Sequence, residues 1–126
     1  MSGLQAFEKQ QYLNIETMRK NGQGVKTPVW FAQKGESLFI WTESGSGKAR
    51  RIRNFPQVQV APSRADGTPV GDWVAATAQV DGSAAAVEHV RVLMQQKYGL
   101  MFSMFALMGK LRKSKYTSIR VELAGR

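Results

Sequence analysis

The sequence predicts a mainly β protein with added helices (α+β): a six-stranded antiparallel barrel, closed or partly closed, with a short helix after the third strand and helices late in the chain. Two observations predict it. Short segments of alternating apolar and polar residues recur with turn residues between them, and two stretches break that alternation for helical spacing. With no internal repeat and no long linker, the 126 residues are read as one domain, 1–126.

Residues Ser2 to Gln11 form a short amphipathic lead-in, and Tyr12 to Met18 alternates as a first strand. Arg19 to Gly24 holds an Asn21-Gly22 pair, a strong hairpin signal. In Val25 to Gln33, Val25, Thr27, Val29 and Phe31 face one way, and Lys26, Pro28, Trp30 and Ala32 the other. Pro28 has no N–H for a ladder, so it belongs at an edge or a bulge. Lys34 to Ser37 turns the chain into a compact strand, Leu38 to Thr42. After the small-residue loop Glu43 to Gly47, a basic helix runs from Lys48 to Asn54, capped by Ser46 and halted by Pro56. Gln57 to Ser63 is a strand with Val58 and Val60 inward, and Arg64 to Pro69 is a turn. Val70 to Val80 reads as a longer strand whose alanines imply close backbone approach on both faces. Ser83 caps a helix from Ala84 to Tyr98 with Val87, Val90, Leu93 and Met94 on one face. Gly99 separates it from a second helix, Leu100 to Arg112, and Thr117 to Leu123 is the last strand.

Composition removes several function classes. Cysteine is absent, which excludes disulfides, thiolate metal sites and thiol catalysis and fits a reducing cytoplasm, the expected location. A single histidine, His89, excludes a multi-histidine metal site. The first ten residues hold no apolar run of the signal-peptide kind, and the longest apolar stretch, Gly99 to Gly109, is far shorter than the ~20 residues that span a bilayer. The net charge of +9 attracts polyanions: nucleic acid, anionic lipid, or a phosphorylated or polyglutamylated small molecule.

The informative stretch is Phe39-Ile40-Trp41-Thr42-Glu43-Ser44-Gly45-Ser46-Gly47-Lys48. A strand ends in a threonine, a loop of small residues follows, and a basic helix starts. Amides at a helix start lack intrahelical partners, and the helix dipole adds partial positive charge there. Thr42 and Ser46 add hydroxyls and Lys48 an ammonium, with Arg50, Arg51 and Arg53 close by, so the stretch can cradle an anion. The other reading is an ordinary strand–turn–helix with a solvated basic face. Gly45-Ser46-Gly47-Lys48 does not complete a nucleoside-triphosphate loop, which needs a glycine and a hydroxyl where Thr42 and Ala49 stand.

From Tyr12 to about Asp81 the chain resembles the pyridoxamine 5′-phosphate oxidase-like split barrels, most of all their branch dependent on the deazaflavin coenzyme F-420. The resemblance lies in Thr27-Pro28-Val29-Trp30-Phe31-Ala32, Trp41 to Lys48, Arg51-Ile52-Arg53-Asn54-Phe55-Pro56-Gln57-Val58, Val60-Ala61-Pro62 and Gly71-Asp72-Trp73-Val74. It implies a homodimeric oxidoreductase that passes a hydride to or from a small organic substrate, with coenzyme F-420 or flavin mononucleotide at the dimer interface. It also implies that Thr42, Ser46 and Lys48, with Gly47 in the same loop, hold the cofactor phosphate, and that Lys26 assists. Thr27, Val29 and Trp30 would run beside the ring system, and Asp72 and Trp73 would approach it from the neighbouring subunit. Flavin mononucleotide oxidases of this kind usually carry cations where Gly47 and Phe31 stand, whereas an acidic tail such as that of F-420 could use Lys48, Arg50, Arg51 and Arg53.

Trp30, Trp41 and Trp73 can line an aromatic pocket or serve as core and interface residues; core packing is the first expectation for Trp41. No side chain stands out as a general acid, since Tyr98, Tyr116 and His89 are more often packing residues in such places. Met94, Met101, Met104 and Met108 suit ordinary core packing first and a lid or dimer contact second. A non-enzymatic cofactor carrier would share every motif. Nucleic acid is not an expected partner, because the basic residues are not interleaved with aromatics along a strand face. The apolar segment Leu100 to Leu111, followed by Lys110 to Lys115, could lie in a lipid interface, but burial against the barrel is the commoner fate and peripheral membrane contact ranks second.

Overall fold

Period-two alternation dictates strands with one face inward and one outward, and six such strands form: β1 (Tyr12–Met18), β2 (Gly24–Lys34), β3 (Ser37–Glu43), β4 (Gln57–Ser63), β5 (Val74–Asp81) and β6 (Tyr116–Leu123). In this computed structural model, which describes residues 3–124, they close into an antiparallel barrel in the order β1-β2-β3-β6-β5-β4. Met1, Ser2, Gly125 and Arg126 lie outside the described residues, so the expected lead-in is seen from Gly3 onward, where Gly3–Phe7 forms one short 3-10 turn. Three α-helices complete the chain: α1 (Gly47–Asn54), α2 (Ala84–Tyr98) and α3 (Leu100–Leu111).

Alternation along the strands sorts the apolar side chains into two clusters. Leu13, Ile15, Phe31, Leu38, Ile40, Val60, Ile119 and Val121 fill the barrel, joined by Ile52 of α1 and by Leu4 and Phe7. Their neighbours Trp30, Ala32, Phe39 and Trp41 point outward, where Val90, Leu93, Met94 and Tyr98 of α2 and Phe102 of α3 cover them.

Strand β2 changes partner in mid-course. Gly24 to Trp30 pair with β1, whereas only Phe31 to Lys34 pair with β3. Past Ile40, β3 runs on beside β6. The two strands therefore part, and a gap opens between Pro28–Val29 and Trp41–Glu43. At the changeover the Phe31 amide, which has run out of β1 partners, donates to the Tyr98 hydroxyl (3.0 Å). That hydroxyl in turn reaches the carbonyls of Gln11 (2.7 Å) and Phe31 (2.9 Å). Backbone directions alternate along a strand, so Pro28, three residues earlier, turns its nitrogen away from β1 and into the gap. A residue without an N–H forfeits no ladder bond there, which is the edge position expected of it.

Two helix starts follow their sequence signals. Ser46 Oγ accepts from the Ala49 amide at the head of α1 (3.2 Å), and Ser83 Oγ from the Ala86 amide at the head of α2 (3.2 Å). The ring of Tyr98 stacks on Trp30 at 4.4 Å and 10°. Beside it, Lys97 Nζ donates to the Phe31 carbonyl (2.7 Å) and sits 3.6 Å from the centroid of the Phe31 ring. Burial outweighs these contacts and lowers the Lys97 pKa to about 8.

Three expectations need correction. The fifth strand starts at Val74, not Val70. Pro62 and Pro69 cannot donate to a ladder, and a side chain at Gly71 would place its Cβ 2.7 Å from Pro62 Cγ. The chain therefore makes one bridge, Ser63 to Pro69, and swings out until Val74. The alanines of β5 approach neighbours on one face only: Ala76 and Ala78 are buried, but Ala75 is exposed. Core packing holds for Met94, which is fully buried, but not for Met101, Met104 and Met108, which are 58, 68 and 53 % exposed on the outer face of α3.

Replacing Tyr98 by Phe keeps the ring stack but strips the Phe31 amide of its partner; unfolding free energy from urea titration is expected to fall by about 1–3 kcal/mol. Lys97 titrates lower when folded than when unfolded, so the unfolded chain holds more protons and stability should rise with pH from about 8 toward 10. Burial raises the Tyr98 phenol above its ordinary 10.0, so above that pH Tyr98 acts in the opposite direction. Denaturation midpoints across this range should climb for the parent chain and flatten for Lys97→Met.

Candidate functional site

The gap between β2 and β3 is the mouth of a cavity of about 300 Å³. Pro28 and Val29 form one wall, Trp41, Thr42 and Glu43 the facing wall, Ser46 and Lys48 the floor at the head of α1, and Phe105, Arg112 and Tyr116 the remaining side. The β3–α1 loop that shapes the floor is pinned from two directions. Its Ser44 amide donates to the Lys115 carbonyl (2.9 Å), and Arg53 Nη1 donates to the Ser44 carbonyl (3.2 Å). Thr42 Oγ1 and Ser46 Oγ stand 3.5 Å apart.

The floor is electropositive. Lys48 is held below the ordinary lysine value of 10.5, first by burial and then by the Arg51 guanidinium, with Glu43 pulling the other way. A half-buried cation pushed toward neutrality by burial and by another cation gains from an anion placed beside it. The Gly47 and Lys48 amides belong to the first helical turn, whose N–H groups have no partner within the helix. Glu43 is set against Arg112 at 4.0 Å, so its charge is partly engaged.

The aromatic wall is layered. Trp41 stacks on Tyr116 (4.5 Å, 22°) and receives the edge of Phe102 from α3 (5.3 Å, 83°). Trp41 thus both packs in the outer cluster and lines the cavity. Trp41 Nε1 and the Tyr116 hydroxyl are buried without a hydrogen-bond partner, and Tyr116 lies against Gly109 of α3 so closely that no side chain fits there.

Of the residues singled out from sequence, Val29, Trp41, Thr42, Ser46 and Lys48 come together here. Gly47 is the first residue of α1, where a Cβ would sit 2.7 Å from Arg51 Nη1 and move that flexible guanidinium. Trp30 is set back behind Tyr98 and Phe105. Thr27 is half-buried on β2, and Arg53 is exposed and engaged with the loop backbone. Lys26 and Trp73 form a separate pair, with Nζ 5.1 Å from the indole centroid, and neither lines this cavity. Arg50 and Arg51 join Arg19 and Lys20 around a second cavity of about 410 Å³. Sequence reasoning missed Pro28 as a wall residue, Glu43, Phe105 and Arg112. The Glu43–Arg112 pair has no local signal, because the β3–β6 ladder alone brings the two segments together.

No side chain at the cavity stands in a relay suited to general acid catalysis. Tyr98 is buried in its backbone bonds. His89 lies elsewhere, edge-on to Phe39 (5.0 Å, 85°). Among the described residues no three His, Asp or Glu gather as metal ligands, and no helix is long and apolar enough to cross a membrane.

No family model and no curated protein matches the chain. Solved structures do. HutZ, the heme storage protein from Vibrio cholerae, superposes with a TM-score of 0.70 at 15 % identity over 97 % of this chain and 87 % of its own. A candidate pyridoxamine 5′-phosphate oxidase from Listeria innocua gives 0.66 at 11 % identity, covering 96 and 90 %. An F-420 reductase gives 0.64 at 16 % identity, covering 99 and 96 %. Barrel order, helix placement and these superpositions agree: the chain has the pyridoxamine 5′-phosphate oxidase-like split-barrel fold.

Proposed function

We propose that this protein is an oxidoreductase that binds a phosphate-bearing flavin-type cofactor, coenzyme F-420 or flavin mononucleotide, in the gap between β2 and β3. The observation that carries the reading is the juxtaposition in one cavity of an anion floor and an aromatic wall: Thr42, Ser46 and Lys48 below, Trp41 and Tyr116 beside. The residues suit such a group. Lys48 and the hydroxyls would hold its phosphate, Pro28 and Val29 would flank its ring, and the stacked rings of Trp41 and Tyr116 would line its side. When bound, the cofactor supplies hydride chemistry; the protein supplies position, charge and exclusion of water. Coenzyme F-420 is the preferred member of the pair, since the basic cavity lined by Arg19, Lys20, Arg50 and Arg51 offers counter-charge to an acidic tail.

A homodimer belongs to the same proposal. The Lys26–Trp73 pair does not serve the cavity of its own chain, which leaves it for a second copy. The carrier alternative shares the site and is separated from the enzyme by turnover with reduced cofactor.

Fluorescence titration with F-420 and with flavin mononucleotide in parallel tests the reading. Saturable binding of either supports it, with the tighter one naming the cofactor, and binding of neither sinks it. Lys48→Ala is expected to weaken binding by about 1.5–3 kcal/mol, the loss of a charge-assisted bond. Because Lys48 must be protonated to pair with phosphate and its pKa lies below 10.5, affinity of the parent should fall as pH rises toward that value, while Lys48→Ala should lack this component.

A further inference from the structure

Helix α3 carries its apolar side chains on the wrong side for a core. Its inner face is small, with Phe102 buried against Trp41 and Gly109 against Tyr116. Leu100, Met104, Leu107 and Leu111 recur at helical spacing on the opposite face, flanked by Met101 and Met108, and each of these six is more than half exposed, up to 81 % for Leu100. Monomeric soluble proteins rarely leave so large a contiguous apolar stripe in water.

Charge identifies what covers it. Between Glu88 and Glu122 the sequence contains no acidic residue. Lys110, Lys113 and Lys115 stand exposed at the C-terminal end of the stripe. Arg112, beside them, is engaged with Glu43. Anionic headgroups neutralise a cationic cluster of this kind at the end of an apolar helix face. An apolar helix face ending in lysines is the arrangement by which a helix lies in a lipid interface, side chains in the acyl boundary and ammonium groups among the phosphates.

We propose that α3 docks the protein on an anionic membrane surface. This inference is independent of the cofactor reading. The docked face is continuous with the candidate site, because Phe105 of α3 lines that cavity, so a docked molecule opens its cavity beside the lipid.

The test is co-sedimentation of the full chain with vesicles of phosphatidylcholine mixed with phosphatidylglycerol, against phosphatidylcholine alone. Sedimentation with the mixed vesicles at low salt, declining as salt is raised, is the expected result. Met104→Glu/Leu107→Glu should lower the bound fraction at least about tenfold, and Lys110→Ala/Lys113→Ala/Lys115→Ala should abolish the preference for anionic vesicles. All five positions are solvent-facing, and circular dichroism checks that the variants fold. No sedimentation with mixed vesicles overturns the proposal, and so does undiminished binding of the glutamate variant. If sedimentation velocity instead shows that this variant converts a dimer to a monomer while the parent ignores vesicles, the face belongs to a second copy and the proposal falls.

Discussion

Everything notable about this barrel depends on the point at which β2 exchanges one neighbour for another. A strand that stayed paired on both edges would close the sheet fully and leave no opening. Here β1 runs out at Tyr12 while β3 takes over only at Phe31, and the backbone groups stranded at the changeover must be met by something other than a strand. The hydroxyl of Tyr98 and the ammonium of Lys97 meet them. The helix that supplies both side chains, α2, is thereby tied to the barrel by polar bonds as well as by the packing of Val90 and Met94. The opening below the changeover is thus a consequence of backbone hydrogen bonding: donors and acceptors satisfied on one side of Phe31, a proline with no N–H to satisfy on the other.

The same changeover places chemistry. Once β3 leaves β2, its last residues have one paired edge and one free edge, and they lead directly into the head of α1. A hydroxyl, a cap and a lysine thereby meet the free edge of the neighbouring strand. The aromatic wall comes from the outward-facing residues of β3 and β6, which face the surface that α2 and α3 cover. One period-two pattern therefore produces both the dry interior of the barrel and the layered aromatic surface outside it, the inner set and the outer set being alternate residues of the same strands.

Much of this was legible in the sequence, and the exceptions share a cause. The six strands, the Ser46 and Ser83 caps, the Asn21-Gly22 turn and the inward positions of Val58 and Val60 are local properties, written in spacing and turn chemistry. The special status of Pro28 was legible as well, because a missing N–H is a local fact, although the identity of the gap it faces was not. Val70 to Trp73 read as strand because alternation alone cannot register that Pro62 sits opposite and cannot donate. Arg112, Phe105 and Tyr116 became cavity residues through the pairing of β3 with β6, which joins segments some seventy residues apart, and the pattern around each carries no trace of the other. The outward face of α3 was hidden for a similar reason: helical spacing shows that a stripe exists, not which way it turns.

The order in which the strands occur has a consequence for biosynthesis. The last strand, β6, is not an edge added to a finished sheet; it lies between β3 and β5 and hydrogen-bonds to both. As the chain leaves the ribosome, β1 to β5 and both long helices emerge while the slot between β3 and β5 is still vacant, exposing two unpaired strand edges and the apolar lining that Ile119 and Val121 will fill. Such a nascent chain presents the surfaces that recruit chaperones or seed aggregation. The barrel passes from open to closed only when residues around 116–123 arrive, so closure waits for the last strand. A ribosome stalled before that strand emerges would hold β1 to β5 with the barrel still open between β3 and β5.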